Sequence, residues 1–143
     1  MKTLKTTILS LSLVLLTSVF VQATEPNVNK KGTMGYTLDR YIEWTTKGIH
    51  KNAPTLLDDS FKLYVSYGGR TTSYNKKQVV NHLKNEKSLV LNCETNYEVV
   101  EECDTFSIVK MEMNFPTFTK INYITMDNKN GDWVITSVYT TYS

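Results

Sequence analysis

The chain is poor in the side chains that carry most metal and redox chemistry: in 143 residues there are two histidines, His50 and His82, and two cysteines, Cys93 and Cys103. Their spacing matches no zinc-ligand pattern, and no cysteine lies near a histidine in sequence. Neither a metal site nor a Cys-His nucleophile is expected. A Gly-x-Ser-x-Gly elbow is missing, which removes the common hydrolase signature, and no glycine-rich run exists to cradle a phosphate. No cofactor is therefore expected. His50 reads as a loop residue after a helix and His82 as a helical residue among lysines, both solvated.

Long apolar runs are confined to the amino terminus. Lys2 and Lys5 precede an apolar stretch from Ile8 to Val21 that closes on Val21-Gln22-Ala23, the layout of a secretory signal peptide over residues 1–23. The stretch is shorter than the roughly 18 to 20 residues that span a bilayer, so no stable membrane anchor is expected after cleavage. The expected location is the periplasm or the medium. Removal of Lys2 and Lys5 leaves fourteen basic and fourteen acidic residues. A chain without net charge has no long-range field to gather phosphates, and nucleic acid is not an expected partner.

Residues 24–33 form a polar mixture with little to bury and read as a flexible lead-in. One domain is expected over 34–143. Met34, Leu38, Tyr41, Ile42, Thr45 and Ile49 recur at spacings of three and four, which predicts an amphipathic helix ending at Gly48. Pro54, Leu56 and Leu57 suggest a second, shorter helix. Phe61 to Tyr67 and Arg70 to Tyr74 can pair around Gly68-Gly69 as a hairpin, and Asn75 caps a third helix through Val79, Val80 and Leu83. Period two then takes over in four long strands: 92–103, 105–115, 118–127 and 133–142. Pro116 marks one bend and Asn128 to Gly131 the clearest turn. If 92–103 is one strand, ten residues at about 3.3 Å hold Cys93 and Cys103 about 33 Å apart, whereas a bridge needs Cα atoms within about 7 Å. Two unpaired, part-buried cysteines are expected.

Helices first and an antiparallel meander last predicts an α+β protein, with helices packed on one face of a curved sheet. Two sets of motifs then resemble the NTF2-like superfamily. Asp39-Arg40-Tyr41-Ile42, with Gly48 and Leu56-Leu57-Asp58-Asp59, is similar to the opening of the ketosteroid isomerases. Tyr123-Ile124-Thr125-Met126, Gly131-Asp132-Trp133-Val134-Ile135 and Val138-Tyr139 resemble the closing hairpin of an exported branch labelled for lumazine binding, a label that does not show that any member binds lumazine. The likeness runs from about Met34 to Tyr142. It implies an NTF2-like (SnoaL-like) cone, with three amino-terminal helices on a strongly curved, mainly antiparallel sheet, and a homodimer through the open sheet face. It also matches Tyr41 to the isomerases' oxyanion-stabilising tyrosine. Their catalytic aspartate falls here on Tyr64 or Val65, and neither can be a base worth about 10² to 10⁴ in rate. Ser137 stands near a position where the branch often has a lysine.

The expected function is binding of a small organic ligand, without catalytic residues, in a cavity lined by Tyr41, Tyr64, Tyr123 and Trp133 with Met111 and Met113. Aromatic rings supply contact area and hydroxyls fix orientation. The same residues also suit ordinary core and sheet surface, because tyrosine favours strands. Two alternatives stand beside this reading. One is an isomerase, dehydratase or cyclase that pairs Tyr41 with a pocket carboxylate, for which Glu112 is a candidate if its strand face lines the cone; otherwise Glu112 is exposed and pairs with Lys110 or a neighbouring strand. The other is a dimeric interaction module whose cone is filled by its own side chains. Glu98, Glu101, Glu102 and Asp104 read either as a solvated edge or as pocket acids.

Overall fold

The computed structural model describes residues 31–48, 53–85 and 90–143; the expected signal peptide, residues 24–30 of the lead-in, and His50 lie outside them. The first helix, α1, covers Met34–Lys47. Thr33 caps its start, with Oγ1 accepting from the Tyr36 N–H at 3.2 Å. Its end is set by Gly48, whose φ of 66° lies in the left-handed region that glycine enters without a Cβ clash. A single 3-10 turn, Ala53–Leu56, leads into β1, Leu57–Tyr67.

Two α-helices are therefore present among the described residues where three were expected. Leu57 and Phe61 are both buried at a spacing of four, which puts two residues on one face of a strand as readily as on one face of a helix, so the segment read as a short helix is mostly strand. The ladder to the last strand shifts register between Leu57 and Lys62. Asp58, Asp59 and Ser60 are strand residues as well.

The rest of the order follows the expectation. β2 is Arg70–Asn75, α2 Lys76–Asn85, β3 Glu94–Glu102, β4 Phe106–Asn114, β5 Thr119–Lys129 and β6 Asp132–Tyr142. Asn75 and Gln78 cap α2 reciprocally: Asn75 Oδ1 accepts from the Gln78 N–H at 3.0 Å and Gln78 Oε1 from the Asn75 N–H at 2.9 Å. The β5–β6 turn places Asn130 (φ 56°) and Gly131 (φ 94°) in the positive region, the pattern of a tight hairpin turn that matches strand twist.

The six strands form one sheet in the order β2-β1-β6-β5-β4-β3. It is mixed rather than purely antiparallel, since β1 runs parallel to β6 while the other neighbouring pairs are antiparallel. One face is buried. Val109, Met111 and Met113 from β4, Ile124 and Met126 from β5, and Ile135 and Val138 from β6 form the core with Leu38, Trp44 and Phe61. α1 is laid across this face by side-chain and main-chain ties: Thr37 Oγ1 donates to the Trp133 carbonyl at 2.8 Å, and the Leu91 N–H donates to the Thr46 carbonyl at 2.8 Å.

Cys93 and Cys103 are free, and only Cys93 is part-buried. Cys103 is exposed because it begins the β3–β4 turn, where its N–H bonds the Phe106 carbonyl at 2.8 Å. No helix among the described residues is long and apolar enough to cross a membrane.

Candidate ligand cavity

The second half of α1, the inner edge of α2 and the ends of β1, β5 and β6 enclose a cavity of about 700 Å³. This size lies within the range of about 300–1,000 Å³ that small organic ligands occupy. α1 contributes Tyr41 and Trp44, one helical turn apart, with ring centroids 6.4 Å apart at an interplanar angle of 82°. Leu63 and Val65 come from β1, and Val79 and Leu83 from α2. These give the cavity apolar walls.

Its polar floor lies on the sheet. Asn122 on β5 and Thr140 on β6 face each other across the ladder, and each is 1% exposed. The Thr140 hydroxyl donates to Asn122 Oδ1 at 2.7 Å, and Asn122 Nδ2 reaches the Met113 sulfur at 3.6 Å. Two residues further out along the ladder, Lys120 and Tyr142 pair beside the cavity and are partly exposed. Two buried groups are unusual. The Trp44 side chain is 2% exposed and its Nε1 has no hydrogen-bond partner. Burial alone pushes the Tyr41 hydroxyl well above the ordinary tyrosine range, so it stays protonated at any physiological pH.

The six residues expected to line one pocket do not come together. Tyr41 is on the cavity wall. Met111 and Met113 point to the same side but are packed within the core, 1% and 0% exposed. Trp133 lines a different hollow of about 600 Å³ at the start of α1. Two of that hollow's charged groups engage each other: Arg40 bonds Glu43 at 2.6 Å and lies 5.4 Å from the centre of the Tyr36 ring. Tyr64 and Tyr123 are on the opposite face of the sheet, where both are in register with Tyr139. A strand sends alternate residues to opposite faces, so Tyr64 and Val65 cannot both look inward, and Val65 is the one that does.

Glu112 shares the outer face and pairs with Lys110 at 2.8 Å; Glu98 lies 3.5 Å from the same lysine. Glu98, Glu101 and Glu102 lie along β3, the exposed edge strand, and Asp104 in the turn after it. No Asp or Glu is among the described residues lining the 700 Å³ cavity.

Sequence reasoning missed Trp44, Lys120, Asn122 and Thr140. Trp44 stands three residues after Tyr41 and so belongs to the same helical stripe. Asn122 and Thr140 occupy the inward phase of β5 and β6, two residues from Ile124 and Val138. A polar residue in an apolar phase was the available signal.

No protein-family model matches the chain, and no curated protein does. Solved structures do. An NTF2-like protein of unknown function from Shewanella baltica is similar, with a TM-score of 0.65 at 10% identity over 76% of this chain and 89% of that one. Another from Silicibacter pomeroyi gives a TM-score of 0.64 at 11% identity over 76% and 91%. A ketosteroid isomerase-like protein from Erwinia carotovora atroseptica gives 0.57 at 12% identity over 75% and 91%. The resemblance to the lumazine-labelled branch rests on the sequence motifs alone. Two helices with a six-stranded, mainly antiparallel sheet, in a chain that matches these structures over three quarters of its length, give this protein the NTF2-like fold.

Proposed function

We propose that this is an exported binding protein that holds a small organic ligand in the cavity between α1, α2 and the sheet. The observation that carries the reading is the cavity itself: about 700 Å³, walled by Tyr41, Trp44, Leu63, Val65, Val79 and Leu83, a size and lining that suit a small organic molecule. The apolar walls and the Asn122–Thr140 floor give the same molecule contact area and a place to be oriented.

Catalysis of the isomerase type has less to support it. Proton abstraction beside a carbonyl needs a base within hydrogen-bond reach in a dry site. The inward residues of β1 nearest the expected base position are Leu63 and Val65, and the described lining carries no carboxylate to serve instead.

A second reading concerns assembly. Tyr64, Tyr123 and Tyr139 lie side by side on the outer sheet face at 38%, 40% and 41% exposure, with Tyr64 and Tyr139 stacked at 6.4 Å. A row of half-exposed rings across three adjacent strands suits a self-complementary contact, and a homodimer through this face is proposed.

Native mass spectrometry of the protein purified gently from its own host tests both readings, with the spectrum repeated after denaturation. The expected result is a dimer carrying a small mass that is lost on denaturation. A protein free of any small mass, and unchanged by incubation with host extract, speaks against the ligand reading. A monomer at micromolar concentration speaks against the dimer.

A further inference from the structure

We infer that the ligand is a long-chain amphiphile, held at one end in the cavity and lying with its apolar chain across a row of aromatic rings at the cavity's outer edge. This rests on the reading of the cavity as a ligand site and names the kind of molecule that fits both parts. The row is Tyr67, Tyr142, Phe118 and Phe115. Tyr142 meets Tyr67 on one side, with ring centroids 5.8 Å apart, and Phe118 on the other at 6.1 Å, while Phe118 stacks on Phe115 at 4.5 Å. Tyr142 also lines the cavity, so the two surfaces are continuous through it. Strand phase explains the arrangement. Tyr142 stands two residues beyond Thr140 on β6, Tyr67 two beyond Val65 at the end of β1, and Phe118 two before Lys120, just ahead of β5. Thr140, Val65 and Lys120 all line the cavity, so period two places the three rings on the cavity side of the sheet.

Rings in that phase are ordinarily core, yet Tyr67 is 75%, Phe118 41% and Tyr142 38% exposed. A contiguous exposed apolar surface of this kind marks a place of contact. Its shape favours a flexible occupant, because the rings share no plane: Tyr67 and Tyr142 are turned by 88°, Tyr142 and Phe118 by 53°, Phe118 and Phe115 by 15°. A rigid flat molecule stacked on one ring would miss its neighbours. A methylene chain has no preferred face and can follow the turns, since the attraction that holds it is non-directional. Inside the cavity the other end meets the apolar Leu63 and Leu83 beside Thr45, Gln78 and Asn81, side chains that both donate and accept. A hydroxyl at that end finds partners of either kind.

Isothermal titration calorimetry of the protein purified from its own host tests the inference with four probes: 1-hexanol, 1-octanol, 1-decanol and 1-dodecanol. Affinity should rise by up to about fourfold for each added methylene, the equivalent of about 0.8 kcal/mol, and should still be rising between octanol and dodecanol. Tyr67→Ser and Phe118→Ser should each weaken dodecanol at least about threefold more than they weaken the shortest alcohol that binds. Tyr67 is so exposed that its variant decides even if the Phe118 variant fails to fold. A plateau at the shortest alcohol that binds, or variants that lose the same factor for every chain length, overturns the inference and leaves the cavity as a site for a compact ligand. Failure of all four to bind a protein whose circular dichroism shows it folded also overturns it, and the native mass spectrum then judges the cavity separately. If either variant turns a dimer into a monomer in sedimentation velocity, the row is a subunit contact and the inference falls.

Discussion

Trp44→Phe separates two descriptions of the indole that predict different energies. In the structure the ring is buried, edge-on to Tyr41, and its N–H is unpaired. Phenylalanine keeps an aromatic ring at the edge-to-face contact but removes two ring carbons and the nitrogen. At about 0.8 kcal/mol per buried carbon group the two carbons cost about 1.6 kcal/mol. Removal of an unsatisfied buried donor returns about 1–3 kcal/mol. The terms oppose each other, and the net change in the ligand-free protein should stay within about 1.5 kcal/mol in either direction. Trp44→Ala, which empties the site, should cost about 3–5 kcal/mol. Urea denaturation followed by far-ultraviolet circular dichroism measures both. A loss of about 3 kcal/mol or more for Trp44→Phe, approaching that of Trp44→Ala, would refute the reasoning, because it would mean that the N–H is already satisfied in the free protein.

The buried Asn122–Thr140 pair predicts non-additive effects: Thr140→Val should cost about 1–3 kcal/mol by stranding Asn122 Oδ1, and Asn122→Leu combined with Thr140→Val should cost less than the sum of the two single changes. Equal and additive losses in denaturant titrations would contradict the hydrogen bond. Asp58 accepts from Lys129 Nζ and from the Ser60 N–H at 3.0 Å and Oγ at 2.5 Å, which hold its carboxyl below the usual aspartate range. Since the folded value is the depressed one, its contribution is fully present above the unfolded value near 4 and is lost as pH falls below it. Asp58→Asn should therefore flatten the acid limb of the stability profile below about pH 4, and an unchanged limb in urea titrations across that range would count against the pairing.

Much of the fold was legible because its signals are local and periodic. The Tyr41 stripe ending at Gly48, the Asn75 cap, Pro116 and the Asn130-Gly131 turn each follow from backbone chemistry that acts within a few residues. The failure at Leu56-Leu57 has a long-range cause: Leu57 pairs with Ile135, far along the chain, and the spacing of four to Phe61 fits a strand face and a helix face alike. The parallel β1–β6 ladder was hidden for the same reason. Site residues were harder to read than elements. Period two shows which residues share a face but not which face lies under the helices, so Tyr64 and Tyr123 could be grouped with Tyr41 although the sheet separates them. Asn122 and Thr140 carried a readable signal in their inward phase. Trp44 was visible by spacing, but that its N–H would lack a partner depends on what surrounds it in three dimensions.

The parallel pairing of β1 with β6 also governs how the chain can be shortened. β6 is the last strand in sequence yet lies third in the sheet, bonded on one side to β1 and on the other to β5. Loss of Asp132–Tyr142 would not trim an edge; it would divide the sheet into a hairpin of β1 and β2 and a separate meander of β3, β4 and β5. The central ladder joins strands more than sixty residues apart, so a chain emerging from its amino terminus cannot close the sheet until its final strand arrives. A stop before Asp132 would thus leave β1 without its central neighbour, and that missing partner strand is the one most prone to be replaced by a strand from another molecule.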